Sequence, residues 1–258
     1  MREGGGEPGG PDLGAQAMAY LRGRFSALPA GQHLGPRLGG ATVLVTGAAP
    51  LGLRGTLCLE VVLAAEEWER HAAAAPPSAF AVRDPEVEPD TRVSLRGEQW
   101  LEARLRDPEG LWLRQHAVLA QDPDDRGADA LRRGADAFRA GLAAQAEALY
   151  RALRQGFEEA DRALDPLGRA VLLGRALRAA MALPFVARGE PWPPPAFLGR
   201  YLELVVPEGP QIRALAARAA GDRRVDLVAW ANLRRLLDEM LDAAGYGETP
   251  VRRYQTLA

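Results

Sequence analysis

Apolar positions follow two different periods along this chain, and the switch between them divides it. Ala17, Leu21, Phe25 and Leu28 recur at helical spacing after Asp12, which predicts a capped first helix over Leu13–Leu28. Short β-type segments follow at Thr42–Thr46, Leu57–Leu63, Arg92–Leu95, Trp100–Leu105 and His116–Ala120. Helices are expected between them at Ala64–Ala75, rich in alanine with acids in its first turn, and at Pro108–Gln115, which begins after Asp107-Pro108.

From Ala128 onward the period becomes 3.6, as in Val171, Leu172, Ala176, Ala179, Ala180 and Leu183. Asp165-Pro166 starts a helix running to about Arg188, and the rigid GEPWPPP turn redirects the chain. Further helices are expected at Ala196–Leu204, Pro210–Ala220 and Arg224–Ala244. The fold class read from this is α+β: a mixed sheet with helices, followed by an all-α helical bundle. The expected divisions are a frayed glycine-rich leader (1–12), an α/β domain (13–122), a polar linker at Gln121–Gly127, a bundle (128–244) and a tail (245–258). A pocket is expected between the two domains.

At 258 residues the chain can bury one large core or two ordinary ones. Its hydrophobic share of 47% and charged share of 26% are those of a globular protein. With Lys+Arg 32 against Asp+Glu 34, the formal net charge of -2 carries no footprint for non-specific nucleic-acid or membrane binding. Every basic residue is arginine, a usage that fits a GC-rich genome. The single cysteine, Cys58, can form neither an internal disulfide nor a cysteine-based zinc site, so a cytoplasmic location is expected. The N-terminus lacks a signal-peptide core, and no membrane-spanning run is expected.

The chemistry centres on VTGAAPLGLRGTLCLEVVL, Val45 to Leu63. One strand ends at Gly47, a turn containing Gly52 and Gly55 follows, and a second strand returns. Turn amides in such an arrangement can face an anion, although glycines are also ordinary turn residues. Gly47-Ala48, a spacer, then Cys58-Leu59-Glu60-Val61 resembles the polymerase-β-type nucleotidyltransferase superfamily, whose pattern is Gly-Ser, a spacer, and two acids separated by one apolar residue. Trp100-Leu101-Glu102-Ala103-Arg104 looks like the strand that carries the third acid. The passages Gly110 to Asp124 and Gly189 to Leu202 are similar to bacterial members with a helical C-terminal domain, the aminoglycoside nucleotidyltransferases among them.

The resemblance implies a triphosphate loop at Gly47, Ala48, Gly52 and Arg54, and a catalytic Mg²⁺ site at Glu60 and Glu102. It also implies that this site is degenerate. The family's loop serine is Ala48 here, and its first metal-binding acid is Cys58. Mg²⁺ requires oxygen ligands in near-octahedral geometry, and a thiol is a poor substitute, so weak or absent Mg²⁺ binding is expected.

Each candidate has an ordinary reading as well. Glu60 lies within LCLEVVL, where an unpaired buried carboxylate is costly, so it must face a cavity, an ion or an arginine. Glu102 also fits an exposed strand face. Cys58 fits a small buried hydrophobe, Arg54 a solvated side chain, and Trp192 with Pro193–Pro195 either a ligand cleft or a packed turn. Glu147, Glu158, Glu159 and Asp161 include candidate general bases or plain helix-surface acids. His33, His71 and His116 show no metal-ligand spacing.

The leading expectation is a nucleotidyltransferase-fold protein with impaired or lost metal-dependent transfer that binds a nucleotide, another small molecule or a partner. The alternatives are an active divergent enzyme moving a nucleoside monophosphate to a hydroxyl, and a structural helical interaction module. Convergence of Glu60, Glu102 and the Gly47 amides would favour the binding and catalytic readings. A buried arginine paired with Glu60 away from Gly47 would favour the structural one.

Overall fold

The structure is a computed structural model that describes residues 12–53, 56–74, 80–87, 90–221 and 224–246. Most of the expected leader, the tail beyond Tyr246, and both Arg54 and Gly55 lie outside the described residues. The chain forms a mixed sheet packed with helices, followed by an all-α bundle. It separates into two compact units, Met1–Ala135 and Asp136–Ala258.

Five strands build the sheet: β1 (Thr42–Gly47), β2 (Leu57–Leu63), β3 (Ala81–Asp84), β4 (Thr91–Gly97) and β5 (Val118–Gln121). Their order is β3-β4-β2-β1-β5, with β2 and β4 parallel and the other pairs antiparallel. Strand side chains alternate between faces, so register decides what each face offers. Val43, Val45, Leu59, Val61, Leu63, Val93 and Leu95 share one face and are buried with Ala17, Leu21, Phe25, Leu34 and Leu38. The edge strand β3 has no counterpart in the expected elements. It is four residues long, and Ala81 and Val82 are its apolar residues.

The expected first helix is interrupted. Asp12 caps α1 (Leu13–Tyr20) by accepting from the amides of Gly14 and Ala15, but Leu21–Phe25 widens into a π-helical turn and α2 occupies Pro29–Leu34. Gly23 weakens helical preference there, and the Ser26 hydroxyl donates to the carbonyls of Arg22 and Gly23.

A second correction concerns Trp100–Leu105, expected as a strand. The segment belongs to α4 (Glu98–Leu105), which starts immediately after β4. Glu, Gln, Leu, Ala and Arg are strong helix formers, and Leu101 and Leu105, four apart, are the residues it buries. The helix over Ala64–Ala75 is α3 (Ala65–Ala74), and α5 (Pro108–Gln115) opens with Asp107 accepting from the Gly110 amide. A Cβ added at Gly110 would lie 2.1 Å from the Arg104 carbonyl oxygen, so only glycine permits this close turn between α4 and α5.

Beyond β5, α6 (Arg126–Ala140) is fastened to the sheet at its first turn. Asp122 accepts from the amides of Gly127 and Ala128 and from the Thr42 hydroxyl. The remaining helices are α7 (Leu142–Arg162), α8 (Pro166–Ala187), α9 (Pro195–Val205), α10 (Gly209–Ala220) and α11 (Leu227–Ala243). Gly156 of α7 meets Ala176 of α8 so closely that a Cβ there would be 2.8 Å from the Ala176 methyl. Phe157 stacks on Trp230 with ring centroids 4.6 Å apart. Contrary to the expectation from sequence, α8 is long and apolar enough to cross a membrane. Half of its most apolar stretch is buried within the protein, as a core helix of a bundle would be.

The Asp122 contacts make a pH-dependent prediction. Burial pushes its carboxyl upward, but the amides of Gly127 and Ala128, the Thr42 hydroxyl and the Arg126 charge outweigh that and hold it below the ordinary aspartate value. A depressed acid stabilises the fold above the unfolded pKa of about 4, and that contribution is lost as pH falls through the folded value. Asp122→Ala is expected to cost about 1 kcal/mol in urea unfolding at pH 7. The deficit should shrink as the pH is taken below 4, and a deficit independent of pH would contradict this role.

Candidate functional site

The sheet face opposite the α1 and α2 core carries the polar residues. Cross-strand register arranges them in rows: Thr46, Cys58 and Arg92; then Leu44, Glu60 and Ser94; then Thr42, Val62 and Arg96. Gly47 pairs with Leu57, so Glu60 lies three positions along β2 from it, roughly 10 Å at strand rise.

Glu60 is committed to an arginine. Its Oε1 accepts from Nη2 of Arg114 on α5 at 2.8 Å, with side-chain exposures of 12% for Glu60 and 3% for Arg114. Arg114 Nη1 donates to the Gly110 carbonyl at 3.0 Å, which holds the guanidinium against its own helix. The guanidinium also lies over the Trp100 ring, 4.7 Å from its centroid. Burial pushes the Glu60 carboxyl above the ordinary glutamate value, while Arg114, by charge and hydrogen bond, and then Arg104 and Arg96 pull it back. Burial likewise lowers Arg114, against the opposing pull of Glu60.

Cys58 is half-buried, and burial raises its thiol above the ordinary value, which keeps it neutral at physiological pH. A neutral thiol beside a carboxylate held by arginine does not meet the oxygen-ligand demand of Mg²⁺. Among the described residues, no group of three or more His, Cys, Asp or Glu side chains is arranged to hold a metal ion.

Glu102 lies on α4, is half exposed, and faces Arg133 of α6 at 3.4 Å. It lines a pocket of about 160 Å³ with Thr42, Val62, Glu98, Arg126 and Asp129. In the glycine loop, Gly47 and Gly52 adopt φ of +87° and +68°, values that favour glycine. Ala48 to Leu53 closes on itself: the amides of Leu51 and Leu53 donate to the Ala48 carbonyl and that of Gly52 to the Ala49 carbonyl. Those three donors are spent inside the loop.

The candidate general bases are on α7. Glu147 pairs with Arg151, Glu158 with Arg154, Asp161 accepts from the Val225 amide at 3.4 Å, and Glu159 is exposed. Trp192 is buried and packs edge-on against Phe138, which is the packed-turn arrangement. His71 is fully buried beside Trp68 and Phe80.

Sequence reasoning did not single out Arg92, Arg96, Arg104 or Arg114. A signal was present in Arg92-Val-Ser-Leu-Arg96, where polar and apolar residues alternate and β4 must present both arginines on one face. For Arg114 the local sequence offers nothing, since its partner is 54 positions away.

No family model matches the chain, and no curated protein matches it either. Among solved structures, the chain is similar to a nucleotidyltransferase-like protein from Exiguobacterium sibiricum, with 13% identity, a TM-score of 0.45, and coverage of 90% of this chain and 77% of that one.

The buried pair yields a double-mutant test. Removing either partner leaves the other buried and unpaired, so Glu60→Leu and Arg114→Met are each expected to cost about 3–5 kcal/mol. The double substitution should recover most of that loss, because apolar replacements need no partner. Additive losses in urea unfolding would show that the two side chains act independently.

Proposed function

We propose that this chain is a nucleotidyltransferase-type protein in which metal-dependent transfer is lost and the mixed α/β unit serves as a binding scaffold. One observation carries the loss of transfer: Glu60, at the second acid position of the resembled motif, is held in a buried ion pair with Arg114. Supporting it are the neutral Cys58 at the first acid position and Arg92 directly across from Cys58 on β4. Glu102 belongs to a helix and engages Arg133, and among the described residues no group of three or more His, Cys, Asp or Glu side chains could hold a metal ion. A two-metal transfer mechanism needs anionic oxygen ligands on both sides of the reacting phosphate, and these residues do not fit that demand.

A second reading, a structural helical interaction module, is favoured by the same Glu60–Arg114 pair, because the arginine is buried and the pair lies roughly 10 Å along β2 from Gly47, and by the apolar residues exposed around helix starts of the bundle unit. Leu164 and Leu167 at the start of α8, and Leu227 and Val228 at the start of α11, are 64–99% exposed. Such residues contribute more when covered by a partner than when left in water.

Incubation with labelled ATP or GTP, Mg²⁺ or Mn²⁺ and hydroxyl-bearing acceptors, aminoglycosides included, is expected to give no nucleotidyl product. Calorimetry should show no dependence of ligand binding on divalent metal. Metal-dependent product that disappears in Glu60→Gln would overturn the reading.

A further inference from the structure

On the polar sheet face around Glu60, positive charge outweighs negative. Arg92 and Arg96 come from β4, Arg104 from α4 and Arg114 from α5. The guanidinium carbons of Arg96, Arg104 and Arg114 lie 5.3, 5.9 and 4.7 Å from the centroid of one indole, Trp100. Glu60 is the carboxylate within this group, and it is bonded to Arg114. The neighbouring acids are occupied elsewhere: Asp90 is held by Arg83, Asp107 caps α5, and Glu98 pairs with Arg126. Among the described residues, no carboxylate lies within ion-pair distance of Arg92, Arg96 or Arg104.

Gathering guanidinium groups without matching acids is electrostatically costly, and their mutual repulsion weakens less with distance where water is excluded. Hydrogen bonding is incomplete in the same place. Among the described residues, Arg96 Nε and Arg114 Nε are buried without a hydrogen-bond partner, and the Arg114 side chain is 3% exposed. Arg96 is half-buried, with one donor, Nη1, directed to the Leu95 carbonyl at 3.3 Å. Ser94 stands between Arg92 and Arg96 on the same face and adds a hydroxyl. An oxyanion would offset the excess charge and offer acceptors in the planar, paired geometry that guanidinium groups favour.

We propose that the arginine group around Trp100 binds the phosphate of a small phosphorylated molecule without a divalent metal, with Arg96 and Arg104 as the contacting donors and Arg114 as the buried cation behind them. This rests on the reading of the α/β unit as a binding scaffold, and it names the ligand chemistry. Arg92, two rows from Arg96 and one from Glu60, extends the positive field along β4. The partner is a free phosphorylated compound rather than a nucleic acid, because the chain as a whole is slightly acidic, with a formal net charge of -2.

The test is calorimetric titration of the full chain with pyrophosphate and with ATP, both in EDTA. Binding is expected in EDTA, and Arg104→Glu, at an exposed position on α4, should weaken it by about tenfold or more. Arg96→Gln should weaken it in the same direction, while Arg175→Glu, an exposed site on α8 with the same charge change, should leave it unaltered. Absence of binding in EDTA, or equal weakening by Arg104→Glu and Arg175→Glu, would overturn the proposal while leaving the loss of metal-dependent transfer intact. Binding that requires added Mg²⁺ would also overturn it, and a nucleotidyl product formed at the same time would overturn the scaffold reading too. A single-stranded oligonucleotide binding more than tenfold tighter than pyrophosphate would replace the small-molecule assignment with a nucleic-acid one.

Discussion

The Glu60–Arg114 ion pair is the constraint from which the polar side of the sheet is built. A carboxylate in the middle of LCLEVVL can be buried only if another charge comes to it, because desolvation of an unpaired ion exceeds what neighbouring contacts recover. Arg114 reaches Glu60 because α5 returns over the sheet, and α5 can turn so tightly after α4 because Gly110 has no Cβ. The Gly110 carbonyl then accepts from Arg114, and the Trp100 ring supplies a surface for its guanidinium. Strand, turn and two helices thus meet at one bond of 2.8 Å.

That bond also limits the chemistry of the face. A carboxylate already satisfied by a guanidinium is a weak ligand for a small, strongly hydrated cation, since the metal must displace the arginine as well as its own water. Cys58 contributes a neutral thiol, and the position opposite it on β4 is Arg92. A face expected to carry a depleted set of acids carries Arg92 and Arg96 from β4 beside the Glu60–Arg114 pair.

Much of this architecture was legible in the chain. β2 coincides with the apolar run Leu57–Leu63, and Asp107-Pro108 and Asp165-Pro166 mark the starts of α5 and α8 through side-chain capping and proline at the first helical turn. The need of Glu60 for an arginine, an ion or a cavity followed from desolvation alone. What the sequence could not supply was the choice among them, which depends on a tertiary approach across 54 residues. Trp100–Leu105 misled because Leu-Glu-Ala-Arg-Leu satisfies a period of two and a spacing of four equally well. Once the segment is a helix, Glu102 leaves the sheet and meets Arg133. The π-helical turn at Leu21–Phe25 was hidden for a similar reason, since its apolar spacing is that of an ordinary helix.

The central claim is that Glu60 serves Arg114 and not a cation. Anomalous diffraction from crystals soaked in Mn²⁺ tests it directly, because manganese at a carboxylate site is located by its own scattering. No manganese peak is expected at Glu60, and the bond from Arg114 Nη2 to Glu60 Oε1 should stay intact. Manganese coordinated by Glu60, with the Arg114 guanidinium displaced, would contradict it.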